Sequence, residues 1–298
     1  MKGAPTRQAW RDFAAWVEDL GYTSLVVPEH SRPQFSPMLA LLAAAEATDL
    51  RLGTLVLNCD FHHPFVVARD AATMDVLSDG RFELGLGAGW MGRDYDETGI
   101  PWRRGAIRAQ HLDEFVCAVR ALHLGEEVRF DGATYRLQGP IGGPAPVQHP
   151  LPLLVGVGGP TTIAIAARSA QIVGIGRSMA AGPTAADAAR DATAARTEVK
   201  VRQLRDAAGD RYGELELNVL LTLVDLGQAA EITAARFSAN TGLTTDEVVD
   251  TPQHAIGSAP AVVDKLLERR ERFDISYVVV RDVDAEPFAS VVAALAGR

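Results

Sequence analysis

Short aliphatic runs closing on glycine or a polar residue, each followed by a helical pattern, recur along nearly the whole chain and confine it to an α/β architecture. Strands are expected at Ser24–Pro28, Leu50–Leu57, Phe82–Gly87, Pro152–Val157, Gln171–Ile175, Leu215–Val224 and Ile275–Val280. Helices are expected between them, with a long one at Thr184–Ala208 and a last one at Pro287–Leu295. Strands that do not alternate in polarity are buried on both faces, as in a parallel sheet. A chain of 298 residues admits two domains or one α/β barrel. The repeated βα unit predicts the latter: a TIM (β/α)8 barrel in a single domain, 1–298.

Two places break the pattern. Val128 to Leu137 reads as a β-hairpin around Asp131-Gly132, inserted after the fourth barrel strand. A proline- and glycine-rich segment, Gly139–Pro152, leads back into the barrel. At the other irregular point, the first helix starts within a few residues of Met1, so the first barrel strand is apparently missing from the sequence.

A formal charge of −9 argues against nucleic acid, which needs a basic face. The 2 cysteines, Cys59 and Cys117, form no disulfide framework, so a reducing cytoplasm is expected. No apolar run reaches the roughly 18 residues of a membrane span, and the polar N-terminus is unlike a signal peptide. The expected partner is a small-molecule substrate, with a homodimer open as an assembly. His62-His63 suggests metal only weakly, because no third ligand stands at a useful spacing; no metal is expected.

The candidate site residues lie at strand ends, where barrel enzymes build their sites. Phe82 to Trp90 passes from an apolar run into Gly85, Gly87 and Gly89 and ends on an aromatic ring. Gly156-Val157-Gly158-Gly159-Pro160-Thr161-Thr162 closes another strand and enters a helix, offering amides, hydroxyls and a positive dipole end to an anion. A helix-capping turn is the other reading there. Glycine allows close approach of a ligand to the backbone, and two such strand ends are hard to explain by packing alone. Neither cluster has the spacing of a dinucleotide-binding fingerprint. Glu29-His30 pairs a carboxylate with a group that titrates near neutrality, although a surface pair would look the same. Asn58 could end a strand or face a ligand, and Trp90 could line a site or fill the barrel rim.

Leu52-Gly53-Thr54-Leu55-Val56-Leu57-Asn58, His63-Pro64, Ala68 to Phe82, Gly85 to Trp90 with Tyr95, Gly99-Ile100-Pro101 and Ile275 to Val280 together resemble the luciferase-like oxidoreductase superfamily, in its F420-dependent actinobacterial branch. The resemblance implies a TIM barrel with an insertion after the fourth strand and hydride transfer between coenzyme F420 and a small organic substrate. Catalytic roles would fall to His30, Glu29 and Trp90. Glu29 stands where relatives commonly carry aspartate, and Trp90 where some carry an acid. The cofactor would meet Leu55, Val56, Asn58, Gly87, Ala88, Gly89, Gly156, Gly158, Gly159, Pro160, Thr161 and Thr162, with a non-prolyl cis bond expected at Leu55–Val56. The alternatives are an FMN-dependent luciferase-like monooxygenase and a non-catalytic cofactor-binding paralogue.

Overall fold

The computed structural model describes residues 6–124, 127–139, 143–178, 184–227 and 229–297. The chain forms two compact units that divide between Gly156 and Val157. The expectation of a missing first strand concerns residues 1–5, which lie outside the described residues, as does part of the proline-rich segment, 140–142.

The first unit begins with α1 (Arg7–Asp19), capped by the Thr6 hydroxyl on Ala9 N–H. β1 (Ser24–Val27), α2 (Pro37–Ala45), β2 (Arg51–Thr54), β3 (Leu57–Asn58), α3 (Pro64–Leu77) and β4 (Phe82–Gly87) follow. Proline opens both α2 and α3, where its missing N–H has no helical partner to lose. Next come α4 (Gly92–Thr98), α5 (Gly105–His123), β5 (Val128–Asp131), β6 (Arg136–Gly139) and β7 (Leu153–Val157). β1, β2, β4 and β7 pair in that order, all parallel, and β3 also pairs with β4. Every residue of β4 is buried, as the unbroken apolar run required. β5 and β6 form an antiparallel pair whose turn is held by Glu114 of α5, which accepts the N–H of Thr134 at 2.7 Å.

The second unit contains α6 (Pro160–Ser169), β8 (Ile172–Ile175), α7 (Ala185–Ala192), α8 (Ala194–Ala208), β9 (Glu216–Leu220), β10 (Leu223–Asp225), α9 (Ala230–Thr241), α10 (Thr245–Asp250), β11 (His254–Ile256), α11 (Ala259–Phe273), β12 (Ile275–Val279) and α12 (Ala285–Leu295). β8, β9 and β12 are parallel neighbours, and β10 pairs with β11.

Three expected elements are split. The strand at 50–57 leaves the ladder at Leu55–Val56, whose peptide bond is cis, and resumes as β3. There the Thr54 hydroxyl takes over the ladder, donating to Gly85 O at 2.9 Å and accepting Gly85 N–H at 2.8 Å. The strand at 215–224 changes partner in the middle: Leu221 N–H goes to Val279 O, whereas Thr222 N–H goes to Gln253 O. The helix at 184–208 breaks at Thr193, where Asp191 turns inward to accept Ser178 N–H and Lys200. None of the helices among the described residues is long and apolar enough to cross a membrane.

Candidate functional site

In the first unit, register brings the expected residues to one edge of the sheet. Val27 pairs with Thr54, so Pro28-Glu29-His30 and Leu55-Val56 leave neighbouring strands at their C-terminal ends. Asn58 pairs with Gly87, which places Ala88-Gly89-Trp90 next in line. Leu86 pairs with Val155, which adds Gly156. Leu55 and Val56 are partly exposed within an otherwise buried run.

The glycines of β4 and of the turn after it have a reason that the sequence reading missed. A Cβ on Gly85 would lie 1.8 Å from Thr54 O, one on Gly87 2.6 Å from Val56 Cγ2, and one on Gly89 2.1 Å from Tyr95 Oη. Gly89 also has a φ of +70°. Close packing against the bulge requires Gly85 and Gly87, and close packing against Tyr95 and Asn58 requires Gly89, so the argument that packing alone hardly explains them is corrected. Gly156 differs, since its Cβ would make ordinary contact with Val56 at 3.9 Å.

Glu29 does not face outward. Its carboxylate lies 2.8 and 2.9 Å from His62 Nε2 and accepts Asn58 N–H at 2.8 Å. It ties the end of β1 to β3, a span that its extra methylene over aspartate helps it cover. His62 is thus part of the framework, and no three potential ligands group to hold a metal among the described residues. The Asn58 side chain also turns inward, donating to Tyr95 Oη at 3.0 Å and accepting Asp60 N–H at 3.1 Å. Tyr95 in turn donates to Asp60 Oδ2 at 3.0 Å, and His111 Nδ1 sits 3.0 Å from Asp60 Oδ1. Burial, the largest influence, pushes the Tyr95 phenol far above its usual range, and Asp60 adds to it. Burial likewise raises the Cys59 thiol and leaves it inert, in keeping with small filler.

His30 keeps 23% of its side chain exposed and places Nδ1 2.7 Å from Asp94 Oδ2. The Trp90 ring, itself 43% exposed, meets the imidazole edge-on at 6.0 Å. Asp94 comes from α4, one turn beyond Trp90, and its Oδ1 accepts the Ser31 N–H, with Ser31 Oγ 2.9 Å away. Burial opposes ionisation of Asp94, but the hydrogen bonds from His30 and Ser31 outweigh it and hold the carboxyl below its ordinary range. The sequence signal for α4 is faint: a short acidic stretch stopped by Gly99 at φ +74°. Two arginines downstream of β4 are engaged within the protein. Arg108 stacks 3.8 Å over Trp102 and donates to Ala88 O at 3.1 Å, and Arg93 pairs with Glu97.

In the second unit, the turn entering α6 closes on itself. Thr162 Oγ1 accepts the N–H groups of Gly158 at 3.1 Å and Gly159 at 3.3 Å, so the two glycine amides expected to bind an anion are already bonded. Pro160 has no N–H, which leaves those of Thr161 and Thr162 at the helix start. A Cβ on Gly158 would lie 2.2 Å from Arg177 O. That neighbouring segment is fixed by Lys200, whose ammonium donates to Gly176 O, Asp191 O and Asp191 Oδ2 at 2.7–3.0 Å.

A family profile described as luciferase-like monooxygenase matches residues 2–274. The chain belongs to the luciferase-like monooxygenase family. Among curated relatives, it is 43% identical over 103 residues to 4-hydroxyprotoasukamycin monooxygenase of Streptomyces nodosus subsp. asukaensis, covering 32% of this chain and 28% of that one. It is 33% identical over 179 residues to an F420-dependent glucose-6-phosphate dehydrogenase of Beutenbergia cavernae, covering 56% and 53%. The chain thus spans about half or less of these relatives. A coenzyme F420-dependent tetrahydromethanopterin reductase from Methanopyrus kandleri superposes with a TM-score of 0.73 at 20% identity, over 97% of this chain and 94% of that one. A long-chain alkane monooxygenase reaches 0.74 at 14% identity, over 97% and 83%. These likenesses establish the α/β luciferase-like fold of this family member.

Proposed function

We propose that this family member is an oxidoreductase that passes hydride between coenzyme F420 and a small organic substrate. In this reading the chain is one barrel domain, with the β5–β6 hairpin as the insertion after its fourth strand. The observation that carries the reading is His30, braced by Asp94 and flanked by Trp90, at the strand end beside the partly exposed Leu55–Val56 bulge. The fit to a flat conjugated ring rests on Val56, which is partly exposed and surrounded by Gly85, Gly87 and Gly156, all without side chains. Leu55, Val56, Ala88, Gly89 and Gly156 would hold the ring. When bound, the deazaflavin supplies the carbon that gives or takes hydride. The protein holds the proton: His30 Nε2 has no protein hydrogen bond among the described residues and is free to accept one from substrate or return it. Glu29, Asn58 and Tyr95 keep the strand ends in place. In the second unit, the Thr161 and Thr162 amides at the start of α6 are the place for an anionic group.

The names of the F420-dependent relatives support the choice of cofactor. The first named relative, a monooxygenase, favours the second reading, an FMN-dependent monooxygenase. Fluorescence titration with both cofactors separates them, since tight FMN binding without F420 binding would transfer the assignment. His30→Ala is expected to lower turnover with little change in cofactor affinity, because the imidazole acts on charge that develops during reaction. The exposed Thr161→Glu places a charge at the anion turn without the backbone collision of Gly158→Glu, and it should weaken F420 binding at least about tenfold.

A further inference from the structure

We propose that Asp94 is a positioning residue for His30: its carboxylate holds the imidazole as the Nδ1–H tautomer, which keeps the Nε2 lone pair toward substrate and steadies the cation formed when Nε2 takes a proton. The inference rests on the oxidoreductase reading above. An ionised carboxylate can only accept hydrogen bonds. At 2.7 Å from Asp94 Oδ2, the hydrogen must therefore sit on His30 Nδ1. The brace is itself held. Asp94 is only 4% exposed, and its second oxygen accepts the Ser31 N–H, with the Ser31 hydroxyl shared between Asp94 and Glu97.

The other charged groups nearby are committed elsewhere. Glu29 is bound to His62 and Asn58 N–H, while Glu97 is bound to Arg93 and Ser31. The ring that meets the imidazole edge-on, Trp90, is uncharged. Asp94 is thus the one carboxylate on this imidazole among the described residues. A base oriented by a third group is the general logic of activated proton acceptors.

The experiment combines side-chain 15N NMR of His30 in cofactor-free protein with the pH profile of kcat, for wild type, Asp94→Asn and Asp94→Glu. Wild type should show Nδ1 protonated. Asp94→Asn keeps an acceptor but removes the charge. The acid limb of its kcat profile should move to lower pH, because the carboxylate no longer steadies the imidazolium. Its kcat should fall by at least about tenfold with KM and cofactor affinity little changed, and by less than the roughly 10²–10⁴ that a whole proton-transfer group supplies. Asp94→Glu should recover part of both. An Nε2–H tautomer in wild type overturns the proposal even if Asp94→Asn fails to fold. An unmoved acid limb in a folded Asp94→Asn overturns it as well. If wild type turns over no substrate with F420, the oxidoreductase reading fails, while the NMR arm still decides the tautomer.

Discussion

Tyr95 shows how much of this strand edge depends on one hydroxyl. It accepts from Asn58, donates to Asp60 and lies against Trp102 at 4.6 Å between ring centres. Removing it in Tyr95→Phe strands a buried amide hydrogen and a carboxylate oxygen, which costs about 1–3 kcal/mol. Urea denaturation should read that loss, with the midpoint lowered and the slope unchanged. Asn58 and Glu29 were both legible in the sequence as important, but their partners were not. His62, Tyr95 and Asp94 lie 33 to 64 positions from the groups they bind, and Asp60 reaches Asn58 through a turn, separations that no local pattern encodes.

At the scale of elements, the strand ends could be read because aliphatic runs and glycines mark them, and β1 and β4 fall where expected to within a residue. β11, α4 and α10 were missed because three to seven residues carry too little of a period to register. The break between α7 and α8 was invisible for the opposite reason, since the amphipathic pattern runs straight through Thr193. What the break accomplishes is a buried ion pair: Lys200, 5% exposed, gives all three of its protons to Gly176 and Asp191. Asp191→Ala would leave that ammonium buried and unpaired, and a loss of about 3–5 kcal/mol is expected by chemical denaturation. The double variant Asp191→Leu with Lys200→Met should recover most of it, because it removes the orphaned charge along with its partner.

For the molecule as a whole, each unit contains an imidazole whose charged form folding disfavours. His123 donates to Ala68 O at 2.9 Å in the first, and His254 to Val248 O at 2.7 Å in the second. Burial, the main cause, lowers both below the ordinary histidine value. The unfolded chain then binds more protons than the folded one below about pH 6.5, so stability is complete above that value and lost as pH falls. The melting temperature should drop between pH 7 and pH 5, and His123→Gln and His254→Asn should each flatten the drop. Carboxyls held low, such as Asp94 and Glu114, add a loss of the same sign only at more acid pH.

The edge-on contact between Trp90 and His30 has an optical consequence. An excited indole loses its energy to a protonated imidazole held against it, but not to a neutral one. Trp10 is buried with its N–H on Ala40 O, Trp16 packs against Phe13 on α1, and Trp102 lies under a permanent cation, so none of these three is held against His30. The near-ultraviolet emission of Trp90 would therefore brighten when the imidazole beside it loses its proton, which makes the untouched protein its own indicator for that proton.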